Sequence, residues 1–85
     1  MQLHIIYTET EVLVSKRPYA SWREIQDAYA TYKTSLGPWE QGETVAFLDT
    51  EYPDISPSAH EQVRRLVEGS VETCIITFAG DEAVA

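Results

Sequence analysis

Short apolar segments of strand length most constrain how this chain can fold. Residues 2–8 (QLHIIYT) alternate between two faces, as a β-strand does. Residues 11–15 (EVLVS) can return beside them as the second strand of a hairpin. Residues 44–48 (TVAFL) and 71–78 (VETCIITF) are apolar on both faces, which is typical of strands in the interior of a sheet. The sequence therefore predicts four strands.

A helix is predicted between the second and third of these strands. Ser21 and Glu24 have the spacing of a capping box, and Gly37 followed by Pro38 is a common helix stop. Between these signals, apolar and aromatic residues recur at helical spacing, which is the pattern of a buried stripe. The stripe consists of Trp22, Ile25, Tyr29, Tyr32 and Leu36.

A second helix is predicted before the last strand. Ser56 with Pro57 at the first helical position can begin it, and Ser58 with Glu61 offers an alternative capping box. Gly69 is the expected end.

The order of these elements is strand, strand, helix, strand, helix, strand. This order predicts an α+β fold, a two-layer sandwich in which a mixed four-stranded sheet carries two helices packed on one face. Residues 1–80 are expected to form a single small domain, because a chain of 85 residues has room for only one core. Residues 81–85 are expected to form a frayed tail.

The second face of the predicted sheet also carries apolar side chains. If no third layer covers this face, it can pair with another chain. The residues expected there are Ile6, Leu13, Phe47 and Ile76.

Charge and composition exclude several classes of function. The net charge is −8, from 14 acidic and 6 basic residues, which disfavours direct binding to nucleic acid or to an anionic membrane. No apolar run approaches the length of about 18 residues that spans a membrane, and the N-terminal segment lacks a signal-peptide pattern, so a cytoplasmic protein is expected. Cys74 and two histidines are too few for a structural zinc site, and the sequence predicts no cofactor.

Recognisable catalytic arrangements are missing, so we expect a protein that is not an enzyme. His4 alternates with apolar neighbours and is expected to be a structural histidine with satisfied hydrogen bonds, and Cys74 lies inside a predicted strand. The stretch FLDTE resembles, over about five residues, the first motif of DEDD-type 3′–5′ exonucleases, whose carboxylates hold divalent cations. The two further acidic motifs of such enzymes do not occur in the chain, so this match is treated as coincidental. A small metal-dependent enzyme using Asp49, Glu51 and Asp54 is the third functional hypothesis.

Acidic residues are concentrated in the middle of the chain. The 30 residues from Thr34 to Val63 contain six acids and no Lys or Arg. One acidic pair, Glu40 and Glu43, precedes the predicted third strand, and one acidic triplet, Asp49, Glu51 and Asp54, follows it. The two ends of this strand are separated by about 17–20 Å. Trp39 can plug an edge of the core or act as an interface anchor. The predicted partner-binding residues are Glu40, Glu43, Asp49, Glu51, Asp54, Trp39 and Tyr52.

The size, the charge and the lack of catalytic parts resemble those of the small acidic inhibitors that phages and mobile elements direct against host defence, such as anti-CRISPR and anti-restriction proteins. This resemblance implies a protein partner with a basic nucleic-acid-binding surface, whose Arg and Lys side chains would meet carboxylates in place of phosphates. The alternative is an interaction module without mimicry, which forms a homodimer or binds a partner through an exposed apolar sheet face.

Overall fold

The computed structural model describes residues 1–79, which form one four-stranded sheet and three helices. The strands are β1 Gln2–Thr8, β2 Val12–Ser15, β3 Tyr32–Glu40 and β4 Thr73–Ile75. The helices are α1 Trp22–Ala28, α2 Gln41–Glu51 and α3 Ala59–Glu68. The strand order in the sheet is β3-β1-β2-β4. The predicted α+β class with a four-stranded sheet is confirmed, and the three observed strand pairings are all antiparallel. The predicted tail, residues 81–85, lies outside the described residues.

The predicted hairpin between β1 and β2 is confirmed. Its register pairs Ile5 with Val14, and the chain reverses across Glu9 and Thr10. The turn lacks the Gly or Asn that usually favours a two-residue reversal. It is closed instead by Thr8, whose hydroxyl accepts a hydrogen bond from the Glu11 N–H at 3.1 Å and whose own N–H donates to the Glu11 carbonyl at 3.0 Å.

The predicted long first helix is wrong beyond Ala28. The chain leaves α1 there, and residues 32–40 form β3, which pairs antiparallel with β1. The unpaired edge of β1 offers backbone hydrogen bonds to this segment, and its aromatic and β-branched residues suit a strand. A register irregularity between β1 and β3 places Tyr32 against the α1 side of the sheet and Leu36 against the other side.

The predicted third strand, residues 44–48, is also wrong, because these residues lie inside α2. A short apolar run cannot be assigned to a strand or a helix from periodicity alone. Here β3 already occupies the edge of the sheet, and the Glu43 carboxylate accepts a hydrogen bond from the Glu40 N–H at 3.4 Å where α2 begins. Thr44 and Leu48 are the fully buried residues of this helix.

Helices cover both faces of the sheet. Helices α2 and α3 pack on one face, as two helices were expected to do, and their Leu48 and Val63 contact the same core as Ile5 of β1. On the opposite face, α1 covers the sheet by packing Ile25 against Ile6 and neighbouring residues. The domain therefore has a second, smaller core that the sequence did not predict.

The expected exposed apolar face does not form from the four residues predicted for it. Ile6 and Leu13 are buried beneath α1, whereas Ile76 is buried in the core on the other side of the sheet. Phe47 belongs to α2, where its ring meets the edge of Trp39 at a centroid distance of 5.3 Å.

Helix α3 has the expected ends and an additional contact. The Ser58 hydroxyl accepts a hydrogen bond from the Glu61 N–H at 3.2 Å, and Gly69 is the C-cap, so the start at Ser58 is the correct one of the two alternatives. The Lys16 ammonium donates to the carbonyl oxygens of Leu66 at 2.8 Å and Gly69 at 2.7 Å. This cation therefore satisfies carbonyl groups at the negative end of the helix and joins α3 to the end of β2.

His4 is buried as expected, with 9% of its surface exposed, but it is not fully satisfied. Its Nδ1 atom has no hydrogen-bond partner among residues 1–79, and its ring meets the edge of the Tyr19 ring at 5.3 Å. An unpaired buried polar atom of this kind costs about 1–3 kcal/mol. Burial also lowers the pKa of the His4 imidazole, since it disfavours the charged form.

We expect the free energy of unfolding to decrease as the pH is lowered below about 6.5, the ordinary pKa of this side chain. The unfolded chain then binds a proton that the folded His4 resists, so the stability is fully present above that pH and is lost below it. Urea unfolding of the wild type and of His4→Phe, followed between about pH 8 and pH 5.5, measures the effect.

The His4→Phe variant should show a flatter profile than the wild type. Identical profiles for the wild type and His4→Phe would contradict this explanation.

Within residues 1–79, no helix has the length and the apolar character needed to cross a bilayer.

Candidate functional site: acidic residues around helix α2

The predicted acidic residues lie at the two ends of α2. Glu40 is the N-cap and Glu43 is in the first turn, whereas Asp49 and Glu51 are in the last turn and Asp54 follows shortly after. The helix has 11 residues, which corresponds to a length of about 16 Å. The two acidic groups thus flank opposite ends of one element, as predicted, although that element is a helix and not a strand.

The acids at the N-terminal end of α2 take part in local structure. Glu43 accepts from the Glu40 N–H, and the Glu40 carboxylate lies 3.3 Å from the Met1 ammonium. Negative charge is favourable at this end of a helix, where backbone N–H groups have no partners within the helix. The local structure at the start of α2 therefore accounts for Glu40 and Glu43 without a partner.

The acids at the other end have no such role. Asp49, Glu51 and Asp54 are exposed, and their carboxylates form no hydrogen bond or ion pair with any of the described residues. The last turn of α2 contains no basic residue. Since the C-terminal end of a helix already carries partial negative charge, these carboxylates add to an unfavourable local potential. We call these three residues the acidic cluster.

The backbone that carries the acidic cluster is held in place by the end of the described chain. The Asp54 carbonyl accepts from the Ala79 N–H at 2.8 Å, and Ile55 forms an isolated β-bridge with Phe78. The Tyr52 ring also meets the edge of the Phe78 ring at 5.4 Å. The turn after α2 is therefore supported by both main-chain and aromatic contacts.

The two aromatic residues predicted to contact a partner are half-buried. Trp39 packs against Phe47 in the core, which is the first of the two roles considered for it. Tyr52 is the C-cap of α2, and its hydroxyl lies close to that of Tyr7. Burial, the neighbouring Tyr52 hydroxyl and the nearby Glu51 charge together raise the pKa of Tyr7. Both predicted aromatic residues are thus involved in packing inside the domain.

The acidic residues do not form a single row along α2. At 3.6 residues per turn, Glu43 and Asp49 lie about 120° apart around the helix axis, and Asp49 and Glu51 about 160° apart. Asp49 and Glu51 therefore lie on opposite sides of the C-terminal end of α2, and Glu43 lies at its other end. Alternate residues of a strand would have pointed the same way, so the helical conformation removes the geometric argument for a cation held by Asp49 and Glu51. Among residues 1–79, no group of three or more His, Cys, Asp or Glu side chains is placed to hold a metal ion.

The basic residues that follow this region in the sequence are used elsewhere. On α3, Arg64 donates to Glu61 at 2.6 Å and to Glu68 at 3.0 Å, and Arg65 donates to Glu61 at 3.0 Å. These hydrogen bonds, chiefly the one from Arg64, lower the pKa of the Glu61 carboxyl. The spacing of Glu61 and Glu68 from Arg64 makes this network predictable from the sequence. The pairing leaves the charge of the acidic cluster uncompensated.

No protein-family model, no curated protein and no solved structure matches this chain.

Proposed function

We propose that the protein is a non-catalytic binding domain whose acidic cluster contacts a basic surface on a protein partner. The observation that supports this proposal is the uncompensated charge of Asp49, Glu51 and Asp54 at the negative end of α2. The repulsion between these negative charges opposes folding slightly. A positively charged Arg or Lys side chain of a partner would reduce this repulsion. The turn that carries Asp54 is held by backbone hydrogen bonds, so binding requires little additional ordering.

The charge density favours a partner with a compact basic patch. B-form DNA carries about nine charges over 16 Å of its axis, the approximate length of α2. The whole acidic set around α2 carries five carboxylates over that distance, and the acidic cluster carries three. The protein would therefore replace only a few phosphates in a cleft that normally binds nucleic acid, and it would fit best where a small number of Arg or Lys side chains dominate binding.

The finer hypothesis concerns the partner's identity and location. A cytoplasmic nucleic-acid-binding protein of a host defence system would be the target if the resemblance to anti-CRISPR and anti-restriction inhibitors extends to function. The size and the charge of the chain and the absence of Lys and Arg between Thr34 and Val63 support this finer hypothesis.

The test uses a tagged protein and two triple variants with the same change in charge. Affinity capture from nuclease-treated lysate of the source or host cell would be performed with the wild type and with Asp49→Asn/Glu51→Gln/Asp54→Asn. The control, Glu9→Gln/Glu11→Gln/Asp27→Asn, changes three exposed acids in the β1–β2 turn and in α1. We expect the first variant to retain at least about 10-fold less of a basic nucleic-acid-binding protein, because the negative charge offered to the partner's cations is removed.

The control variant should bind like the wild type, and high salt or added DNA should release the partner. The variant of the acidic cluster should also be more stable than the wild type by up to about 1 kcal/mol, which would show that its loss of binding is not unfolding. Equal capture by all three proteins would contradict the proposal. Salt-resistant capture of only a second copy of the chain would favour the alternative, a homodimerising module, for which exposed Ile75 of the edge strand β4 and Val71 shortly before it provide an apolar surface.

A further inference from the structure

A polar groove opens on the α1 side of the sheet, away from the acidic cluster. Its volume is about 640 Å³, within the range of about 300–1,000 Å³ that is usual for small-molecule sites. Residues of β1, of α1 with the segment before it and of β3 form its walls. The side chains that bear on the argument are His4, Tyr19, Trp22, Tyr32, Lys33 and Ser35.

His4 gives the groove an unusual polar component. The side chain lines both this groove and a smaller adjoining cavity of about 280 Å³. Its buried Nδ1 atom has no partner among the residues that the structure describes. Buried polar atoms are nearly always paired in folded proteins, so an unpaired imidazole nitrogen beside a cavity requires an explanation. A polar molecule bound in the surrounding groove is one such explanation.

Two pairs of hydroxyl groups lie on the His4 side of the sheet. The Tyr19 hydroxyl lies 3.2 Å from the Ser15 hydroxyl, and the Tyr32 hydroxyl lies 3.0 Å from that of Ser35. A hydroxyl offers one donor and two acceptor positions. Each of these pairs therefore retains hydrogen-bonding capacity for a further group. They present that capacity on the same side of the sheet as His4.

The charge of the groove is opposite in sign to that of the whole protein. The chain contains 14 acids, yet no Asp or Glu is among the described residues that line the groove or the adjoining cavity. Lys33 lines the groove, and Arg17 lines the adjoining cavity with its guanidinium 5.8 Å from the Tyr19 ring centre. Lys16 also reaches that cavity, but its ammonium is already bound by α3 carbonyls. Lys33 is thus the cation that the groove itself offers to a ligand, whereas Arg17 also lines a cavity with Glu24 and Asp27.

An exposed aromatic side chain stands at the rim of the groove. Trp22 is 56% exposed although it is the first residue of α1, and the Arg23 guanidinium lies 5.5 Å from its ring centre. The sequence predicted Trp22 as part of a buried stripe. Its exposure beside a polar groove instead provides a flat surface on which a planar ring can stack.

We propose that this groove binds a small aromatic anion, a planar ring that carries a carboxylate or a phosphate group. The ring stacks on Trp22, the anionic group is bound by Lys33, and the Tyr19 and Tyr32 hydroxyls bind polar substituents. This site is separate from the acidic cluster and does not depend on it.

Two probes distinguish the source of the anionic group. Adenosine monophosphate supplies a phosphate, and indole-3-acetate supplies a carboxylate, each with a planar ring; adenosine is the uncharged control. Binding to the ¹⁵N-labelled full chain would be followed by NMR, through the indole N–H of Trp22, the imidazole of His4 and the Lys33 amide. We expect at least one anionic probe to shift these signals in a saturable manner at up to about 5 mM, while adenosine binds at least about 10-fold more weakly.

The variant Lys33→Gln should weaken binding of the effective probe about 10-fold and leave adenosine unaffected. Arg65→Gln, on the opposite side of the sheet, should bind like the wild type. Residues 33 and 65 are both exposed, so neither substitution should disturb the fold. Absence of saturable shifts with both anionic probes, or equal binding by Lys33→Gln and the wild type, would overturn the proposal.

Discussion

Gln62→Leu is expected to lower the free energy of unfolding by about 3 kcal/mol. Gln62 lies on α3 with only 7% of its surface exposed, and it connects two other segments. Its side-chain nitrogen donates to the carbonyls of Pro57 at 2.7 Å and Thr77 at 3.1 Å, and its side-chain oxygen accepts from the Thr77 N–H at 3.0 Å. Leucine has a similar size but can form none of these hydrogen bonds.

The magnitude follows from the three backbone groups that lose their partner. An unsatisfied buried donor or acceptor costs about 1–3 kcal/mol. Pro57 and Thr77 are half-buried, so the lower end of this range applies to each group. The sum is a large part of the total stability of a small domain, which is about 5–15 kcal/mol.

Urea unfolding of the wild type and two glutamine variants measures the effect. The matched control is Gln26→Leu, because Gln26 is also helical but exposed and should change the stability by less than about 0.5 kcal/mol. Thr77 lies beside the segment that supports Asp54, so Gln62→Leu should also increase amide hydrogen exchange around the acidic cluster. A Gln62→Leu protein within 1 kcal/mol of the wild type would contradict this account.

Local sequence signals predicted the elements whose formation depends on local contacts. The β1–β2 hairpin requires only two adjacent apolar segments and a closing turn. Helix α3 has a capping serine, a strongly amphipathic pattern and a terminal glycine, and its observed ends at Ser58 and Gly69 agree with them. In both cases the sequence signal and the tertiary environment favour the same conformation.

The incorrect predictions in the middle of the chain have one common cause. The stripe from Trp22 to Leu36 fits a helix, and the apolar run at 44–48 fits a strand, but β1 requires a partner on its free edge. Once residues 32–40 take that position, the next apolar segment has no place in the sheet and packs on it as α2. The number of strands remains four because one error compensates for the other. This competition involves contacts distant in sequence, which periodicity does not report.

The same distinction applies to the candidate sites. The separation of the acidic residues into two groups was predictable, because it depends on an apolar segment between them and not on its conformation. The metal hypothesis rested on strand geometry, and residues 49 and 51 lie in α2 instead. The contacts of Lys16, Gln62 and His4 join segments that are far apart in the chain, and no local pattern indicates them.

Gly37→Ala is expected to lower the free energy of unfolding by about 3 kcal/mol, through the backbone and not through a lost side-chain contact. Gly37 has φ = +114°, a conformation that alanine rarely adopts. An alanine Cβ would also lie 2.6 Å from the Leu3 carbonyl oxygen and 3.2 Å from the His4 Cα atom. Both obstacles belong to the backbone of β1, so relieving them requires β1 and β3 to separate locally.

Gly42→Ala provides the control, because it adds the same methyl group where no atom outside its chain neighbours and the nearby helix backbone lies within 4 Å. Gly42 is in the first turn of α2, where alanine should stabilise the helix by up to about 1 kcal/mol. Urea unfolding of the two variants should therefore give effects of opposite sign, and amide hydrogen exchange should increase in β3 only for Gly37→Ala. Effects of the same sign would show that the close approach of β3 to β1 at Gly37 does not limit stability. Opposite signs would show that the loss of stability in Gly37→Ala comes from the close contact between β3 and β1. The two substitutions are chemically identical and differ only in the backbone conformation and surroundings at each position.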